Sequence, residues 1–126
     1  MVVVVTSAGS VPEAAIHSAT LARVLKALSD PTRLRIFEVL VQGSHCNCEL
    51  AEALDLSLSL VSHHLHVLVG AGLVVSERCP GDARWIRYTI DQQVLRQVNQ
   101  AVSHLLDEGR VQTRQPVCAT RRSEPR

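Results

Sequence analysis

Four cysteines and six histidines are the residues of this 126-residue chain best equipped for chemistry, and their spacing sorts most of them into two groups. The first is His45, Cys46 and Cys48, just ahead of the run ELAEAL over 49–54, which reads as a short helix. Cys46 falls near the N-cap of that helix and Glu49 at its third position. The positive end of the helix dipole is expected to lower the thiol pKa values there and so make both sulfurs better ligands. Residues two apart in a helix point to nearly opposite sides. Cys46 and Cys48 can therefore share an ion only if Cys46 stands outside the helical dihedrals. The competing reading is two small, buried, apolar cysteines, as free Cys often is.

The second group is His63, His64 and His66. His63 and His66 share a helical face, but no carboxylate stands near to complete a zinc site or to act as a base. Hydrogen bonding to bases and phosphates suits them better, although histidine carries little charge at neutral pH. No Ser/His/Asp set, Gly-rich phosphate loop or pair of carboxylates is visible, so an enzyme is not expected.

The elements that must position these groups follow from periodicity. Leu54, Leu56, Val61, Leu65, Leu68 and Val69 recur at helical spacings, Ser57 is a fair N-cap, and Gly70 and Gly72 close the helix. Together with 49–54 this predicts a helix-turn-helix whose second helix enters the major groove of DNA. The residues expected to face DNA are Ser57, Ser59, Leu60, Ser62, His63, His64 and His66. Upstream, Pro12 and Glu13 mark a helix start, with a stripe of Leu21, Val24, Leu25 and Leu28. A second helix begins at Pro31, capped by Asp30 or Ser29, with Leu34, Phe37, Val39, Leu40 and Val41 as its buried side, and ends at Gly43. Downstream, VVSERC and RWIRYTI flank Pro80-Gly81-Asp82-Ala83 and predict a hairpin. From Asp91 to about Glu108 a last helix carries Val94, Leu95, Val98, Ala101, Val102, Leu105 and Leu106 in one stripe, which needs a surface to cover it.

Composition bounds the rest. The length allows one domain, here 13–109, between an arm over 1–12 and a polar, Arg-rich tail over 110–126. With one Trp, one Tyr and one Phe the core is aliphatic, and the fold class is mainly α with a small β-hairpin. The net charge of +1 argues neither for nor against nucleic acid. Between residues 57 and 90, Arg78, Arg84 and Arg87 oppose only Glu77 and Asp82. The opening VVVV run is too short for a signal peptide or a membrane span. Four cysteines without such a segment point to a reducing cytoplasm and to thiols that bind metal or do redox work.

The segments ALSDPTRLRIFEVL and ELAEALDLSLSLVSHHLHVLVGAGLV resemble, in spacing and in residue type, the ArsR/SmtB family of bacterial metal-responsive repressors, over roughly residues 20–105. The resemblance implies a winged helix-turn-helix that pairs as a homodimer through its first and last helices and binds double-stranded operator DNA. The hairpin becomes the wing, with Arg84 and Arg87 as phosphate contacts. Trp85 is expected to pack against its own domain. Cys46-Asn47-Cys48 matches the Cys-x-Cys of the family's arsenic, cadmium and lead sensors, which implies As(III), Cd(II) or Pb(II) as inducer. The additional helical Cys of the arsenic sensors is replaced here by Ala51, and the N-terminal Cys of the cadmium and lead sensors is missing. The third sulfur must then be Cys118, on a tail able to span up to ~30 Å, or less favourably Cys79, expected to lie away from the head of the metal helix. The family's other site, on the last helix, is broken: His104 and Glu108 remain, but Asp91-Gln92-Gln93 lacks the matching His. An alternative is a thiol redox or persulfide sensor of the same fold. A winged helix that binds only protein is a third possibility.

Overall fold

The computed structural model describes residues 16–118; the expected arm, the helix start at Glu13 and the end of the tail lie outside them. Helix α1 spans Ser18–Leu28 and turns Val24 and Ala27 inward. Helix α2, Pro31–Val41, begins where Asp30 accepts a hydrogen bond from the Arg33 amide at 3.0 Å, with Pro31 in the first turn, where no amide is needed. Its buried side centres on Ile36 and Leu40, while Leu34 and Val41, expected to be buried, face outward. The helix is thus rotated relative to the expected stripe: residues seven apart share a face, and with Ile36 and Leu40 inward, residues 34 and 41 lie together on the far side.

Helix α3 covers Asn47–Leu54 and ends at Asp55, whose φ of 56° places it in the left-handed region. Asp tolerates that conformation better than most residues, and it allows the chain to turn sharply into helix α4, Leu58–Gly70. Ser57 caps α4 by accepting from the Leu60 amide at 3.1 Å. Val61, Leu65 and Leu68 are fully buried on its inner side, and burial of each contributes about 1.5–3 kcal/mol. They pack with Val24, Ile36 and Leu50 in one aliphatic core.

Strands β2 (Val74–Cys79) and β3 (Asp82–Ile90) form the hairpin, turning at Gly81 with φ 86°. A third strand, β1 (His45–Cys46), was not visible in the periodicity. It pairs antiparallel with β3, giving the order β1-β3-β2. Helix α5, Gln92–Leu105, is capped by Asp91 and packs on α1 with Val98 buried. Val94, Leu95 and Val102 are half-buried, but Leu105 is 56% exposed and Leu106 73%. The distal part of the stripe therefore reaches beyond the protomer's own core.

Candidate functional site

On the outer side of α4, Ser57, Leu58, Ser59, Leu60, His63 and His66 are exposed and Ser62 is half-buried. The alternation comes from the helical period: Val61, Leu65 and Leu68 hold the inner face, and the intervening positions look outward. His64 does not belong with them. It is only 8% exposed, because its phase falls with Val61, Leu65 and Leu68 on the core side. The expectation that it faces DNA is corrected by that placement.

The buried His64 ring is held by residues that sequence reasoning missed. Arg33 Nη1 donates to His64 Nδ1 at 3.1 Å, and Arg33 Nε donates to the Ala27 carbonyl at 2.6 Å. Asp30 Oδ2 stands 4.0 Å from the same ring nitrogen. Arginine stays protonated, so Nδ1 must accept and the imidazole is neutral with its proton on Nε2. Burial lowers the His64 pKa, against the opposing pull of Asp30. Asp30 itself is held below the usual carboxylate range, first by the Arg33 amide. The signal lay in the sequence as DPTR, where the Pro-marked cap fixes Asp30, and Arg33 three residues later is the donor that turns back to it.

The wing carries the two arginines differently. Arg84 has a side chain 83% exposed and bonded to Asp82 at 3.1 and 3.0 Å. Arg87 is tied to Glu77 at 2.7 Å, and its Nε is buried without a hydrogen-bond partner. Trp85 is 41% exposed rather than packed into the domain.

The thiols are organised by the unexpected strand. Cys46 lies opposite Arg87 across β1–β3, and Arg87 lies opposite Glu77 across β3–β2. At a bulge between Arg78 and Cys79 the register shifts, and the Cys79 sulfur meets that of Cys46 at 3.5 Å. Cys79 is therefore beside the head of α3 and not held away from it. The reason is that β1 ties that head to the wing. Cys46 is the N-cap of α3 as expected, and its amide donates to Glu49 at 2.8 Å. Its thiol pKa, however, is pushed up to about 11, first by the hydrogen bond with Cys79 and then by burial, where the helix dipole was expected to lower it. Cys48 is half-buried, with its amide capped by the Asn47 side chain at 2.9 Å. Cys118 is exposed. His45 Nδ1 donates to the Gly43 carbonyl at 2.8 Å, which turns its ring back onto the loop. Among the described residues no group of three or more His, Cys, Asp or Glu is arranged to hold a metal ion, and no helix is long and apolar enough to cross a membrane.

A sequence profile described as bacterial regulatory proteins of the arsR family matches residues 30–76, the span from the α2 cap into the wing. The HTH-type transcriptional regulator CmtR of Mycobacterium tuberculosis is 39% identical over 106 residues, covering 83% of this chain and 85% of its own length. An arsenical resistance operon repressor of Staphylococcus xylosus is 35% identical over 80 residues, covering 64% and 74%. Among solved structures, the homodimeric winged helix-turn-helix DNA-binding domain Mb0332 of Mycobacterium bovis superposes with a TM-score of 0.55 at 30% identity, covering 75% of this chain and 89% of that one. Sequence similarity extending across the helix-turn-helix, the wing and most of a full-length relative carries one conclusion: the chain belongs to the arsR family of bacterial regulatory proteins, as a winged helix-turn-helix transcriptional regulator and not an enzyme.

Proposed function

We propose that the protein is a homodimeric, cytoplasmic repressor that binds double-stranded operator DNA and releases it when a thiophilic ion or metalloid, As(III), Cd(II) or Pb(II), is held by cysteine thiolates. The observation that carries this is the pair of sulfurs, Cys46 and Cys79, 3.5 Å apart where the head of α3 meets the wing. Cys48 stands two residues on, and Cys118 is the exposed thiol available to complete the set. Sulfur ligands select soft ions over Mg(II) or Mn(II). A bound ion would supply the positive centre that keeps these sulfurs as thiolates. An arsenical repressor among the relatives supports the same chemistry.

In this reading the exposed polar face of α4 reads bases, and Arg84 and Arg87 meet phosphates. Leu105 at the end of α5, Leu106 just past it and Leu25 on α1 are exposed apolar side chains that a second copy would cover, and the homodimeric relative supports that pairing. The ion must favour the DNA-free form by about 3 kcal/mol for ~100-fold release. Only a small movement need carry that energy, because α3 leads directly through Asp55 into the recognition helix.

The same pair of sulfurs would also serve a thiol redox sensor. Against it stands the raised pKa of Cys46, about 11. A thiol held protonated in this way is a poor nucleophile towards oxidants. An ion instead displaces the protons directly. The test is a DNA-shift titration with the chain's own upstream region, run with As(III), Cd(II), Pb(II) or peroxide. Release by a soft ion at stoichiometric concentration is expected; release by peroxide alone would overturn the ion in favour of the redox reading. Leu105→Glu with Leu106→Glu should give monomers by sedimentation, and a dimer in that variant would remove the α1–α5 interface.

A further inference from the structure

We propose that Arg87 is the residue coupling the thiol pair to DNA: the guanidinium that the wing offers to a phosphate in the ion-free protein is held against the Cys46 and Cys79 sulfurs once these bind an ion. This rests on the function proposed above and adds the route by which one site speaks to the other.

The geometry points to Arg87 in three ways. First, Cys46, Arg87 and Glu77 form one cross-strand row, since each is the direct partner of the next. Side chains of directly opposed residues start about 4.5–5.5 Å apart at Cβ. Second, Arg87 Nε is buried and has no acceptor, although its Nη2 donates to Glu77 at 2.7 Å. Buried donors without acceptors are rare in folded proteins, so such a group needs an explanation. Third, after Glu77, the ionisable groups within electrostatic reach of the Arg87 guanidinium include Cys79 and Cys46. As neutral thiols they bond to each other and offer Arg87 weak acceptors. As thiolates they are anionic acceptors, and hydrogen bonds between two charged groups are the stronger class. Arg84 shares the wing but none of these relations: it is bound to Asp82 near the turn.

Cd(II) held by three or four of the thiolates, their protons released to solvent, would replace the neutral thiols beside Arg87 with a site of net negative charge. The arginine has one guanidinium, and contact with the sulfurs competes with contact to a phosphate. Linkage then requires the reciprocal effect, in which DNA contact by Arg87 weakens ion binding by the same factor.

The experiment uses the full chain, Cd(II) as the probe and a DNA fragment from the chain's own upstream region. Removing one phosphate interaction should flatten the slope of log affinity against log salt by about 0.9, hence about 1.8 per dimer. In the ion-free protein, Arg87→Gln and Arg84→Gln should each do so. Cd(II)-loaded wild type should show the slope of ion-free Arg87→Gln. The loss of DNA affinity on adding Cd(II) should shrink at least tenfold in Arg87→Gln but stay at its wild-type size in Arg84→Gln. Thiolate-to-metal charge-transfer absorption should show Cd(II) bound severalfold more weakly by Arg87→Gln than by Arg84→Gln. Arg87→Lys, which keeps the charge but has no Nε branch, guards against misfolding of the glutamine variant: it should retain the ion-free salt slope and lose part of the Cd(II) effect. Full Cd(II) release in Arg87→Gln, or an unchanged salt slope in loaded wild type, overturns the coupling role alone. If Cd(II) titrates the wild-type thiols without altering DNA affinity, the proposed sensor function fails and the coupling fails with it.

Discussion

Two polar clusters touch the helix-turn-helix, one behind α4 and one beneath the wing, and they differ in how completely their groups are paired. Behind α4, Arg33 spends its donors on His64 and the Ala27 carbonyl, and Asp30 accepts from the Arg33 amide. Beneath the wing, two thiols have mainly each other, and Arg87 Nε has no acceptor. Buried polar groups that are fully paired fix a single arrangement, whereas an incomplete set leaves an acceptor or a ligand position to be filled. The first cluster ties α4 to the start of α2 through the Arg33–His64 hydrogen bond. In the function proposed above, the second gains a component when it binds an ion.

The most damaging way to break the second cluster is Cys46→Ser or Cys79→Ser. Each should abolish ion-induced release, a loss of about 100-fold if the coupling is of the usual allosteric size, and a DNA shift with and without Cd(II) reads it. Cys118→Ser should weaken Cd(II) binding without removing the response. If Cys118→Ser abolishes release and Cys79→Ser leaves it intact, the tail and not the wing supplies the ligand. The closed cluster should answer differently, in stability rather than response. Arg33→Met leaves His64 Nδ1 and the Ala27 carbonyl without their side-chain donor and should cost about 1–3 kcal/mol. That corresponds to a fall in melting temperature of roughly 4–8 °C per kcal/mol in a domain of this size, and thermal unfolding measures it.

Acid separates the clusters further. Burial holds the folded-state pKa of His64 below its ordinary 6.5, so the unfolded chain takes up the proton first. The stability that this neutral imidazole contributes is complete above that value and is lost as pH falls from 6.5 towards the folded pKa. Unfolding at a series of pH values should therefore show a steeper decline for wild type than for His64→Gln, and identical slopes would mean the ring is not buried neutral. The smallest effect belongs to Glu77→Gln, which frees Arg87 from an exposed ion pair worth no more than about 1 kcal/mol. Denaturant unfolding should barely move, while ion-free DNA affinity rises modestly, and a fall in affinity would show that Glu77 positions Arg87 for the phosphate.

Much of this architecture was legible because its signals are local. The Asp30 cap with Pro31 behind it, the Ser57 cap and the turn at Gly81 each declare themselves within a few residues. The helix-turn-helix and the hairpin followed from such signals, and the resemblance to the ArsR/SmtB family made the hairpin a wing. What stayed hidden depends on contacts distant in sequence. A two-residue strand has no period to detect, so β1 was invisible, and with it the meeting of Cys46 and Cys79 across 33 positions. His64 read as a surface residue because histidine is polar; only Arg33, 31 positions away, makes its inward phase tolerable. The direction of the Cys46 pKa shift was hidden for the same reason: a helix dipole can be read from a sequence, a thiol neighbour on another strand cannot.

The short strand β1 has an implication for how such regulators diversify. It brings the end of β2 to the head of α3, so a thiol of the hairpin meets a thiol at the helix head and no residue of α4 takes part in that contact. On the function proposed above, inducer choice and operator choice would be written on different stretches of chain. In that reading, exchanging the single residue at position 79 would alter which ions are accepted, and exchanging the outward-facing Ser59, His63 and His66 would alter which operators are recognised. Gene duplication followed by drift at either stretch could yield a regulator that answers a new stimulus at an old promoter, or an old stimulus at a new one.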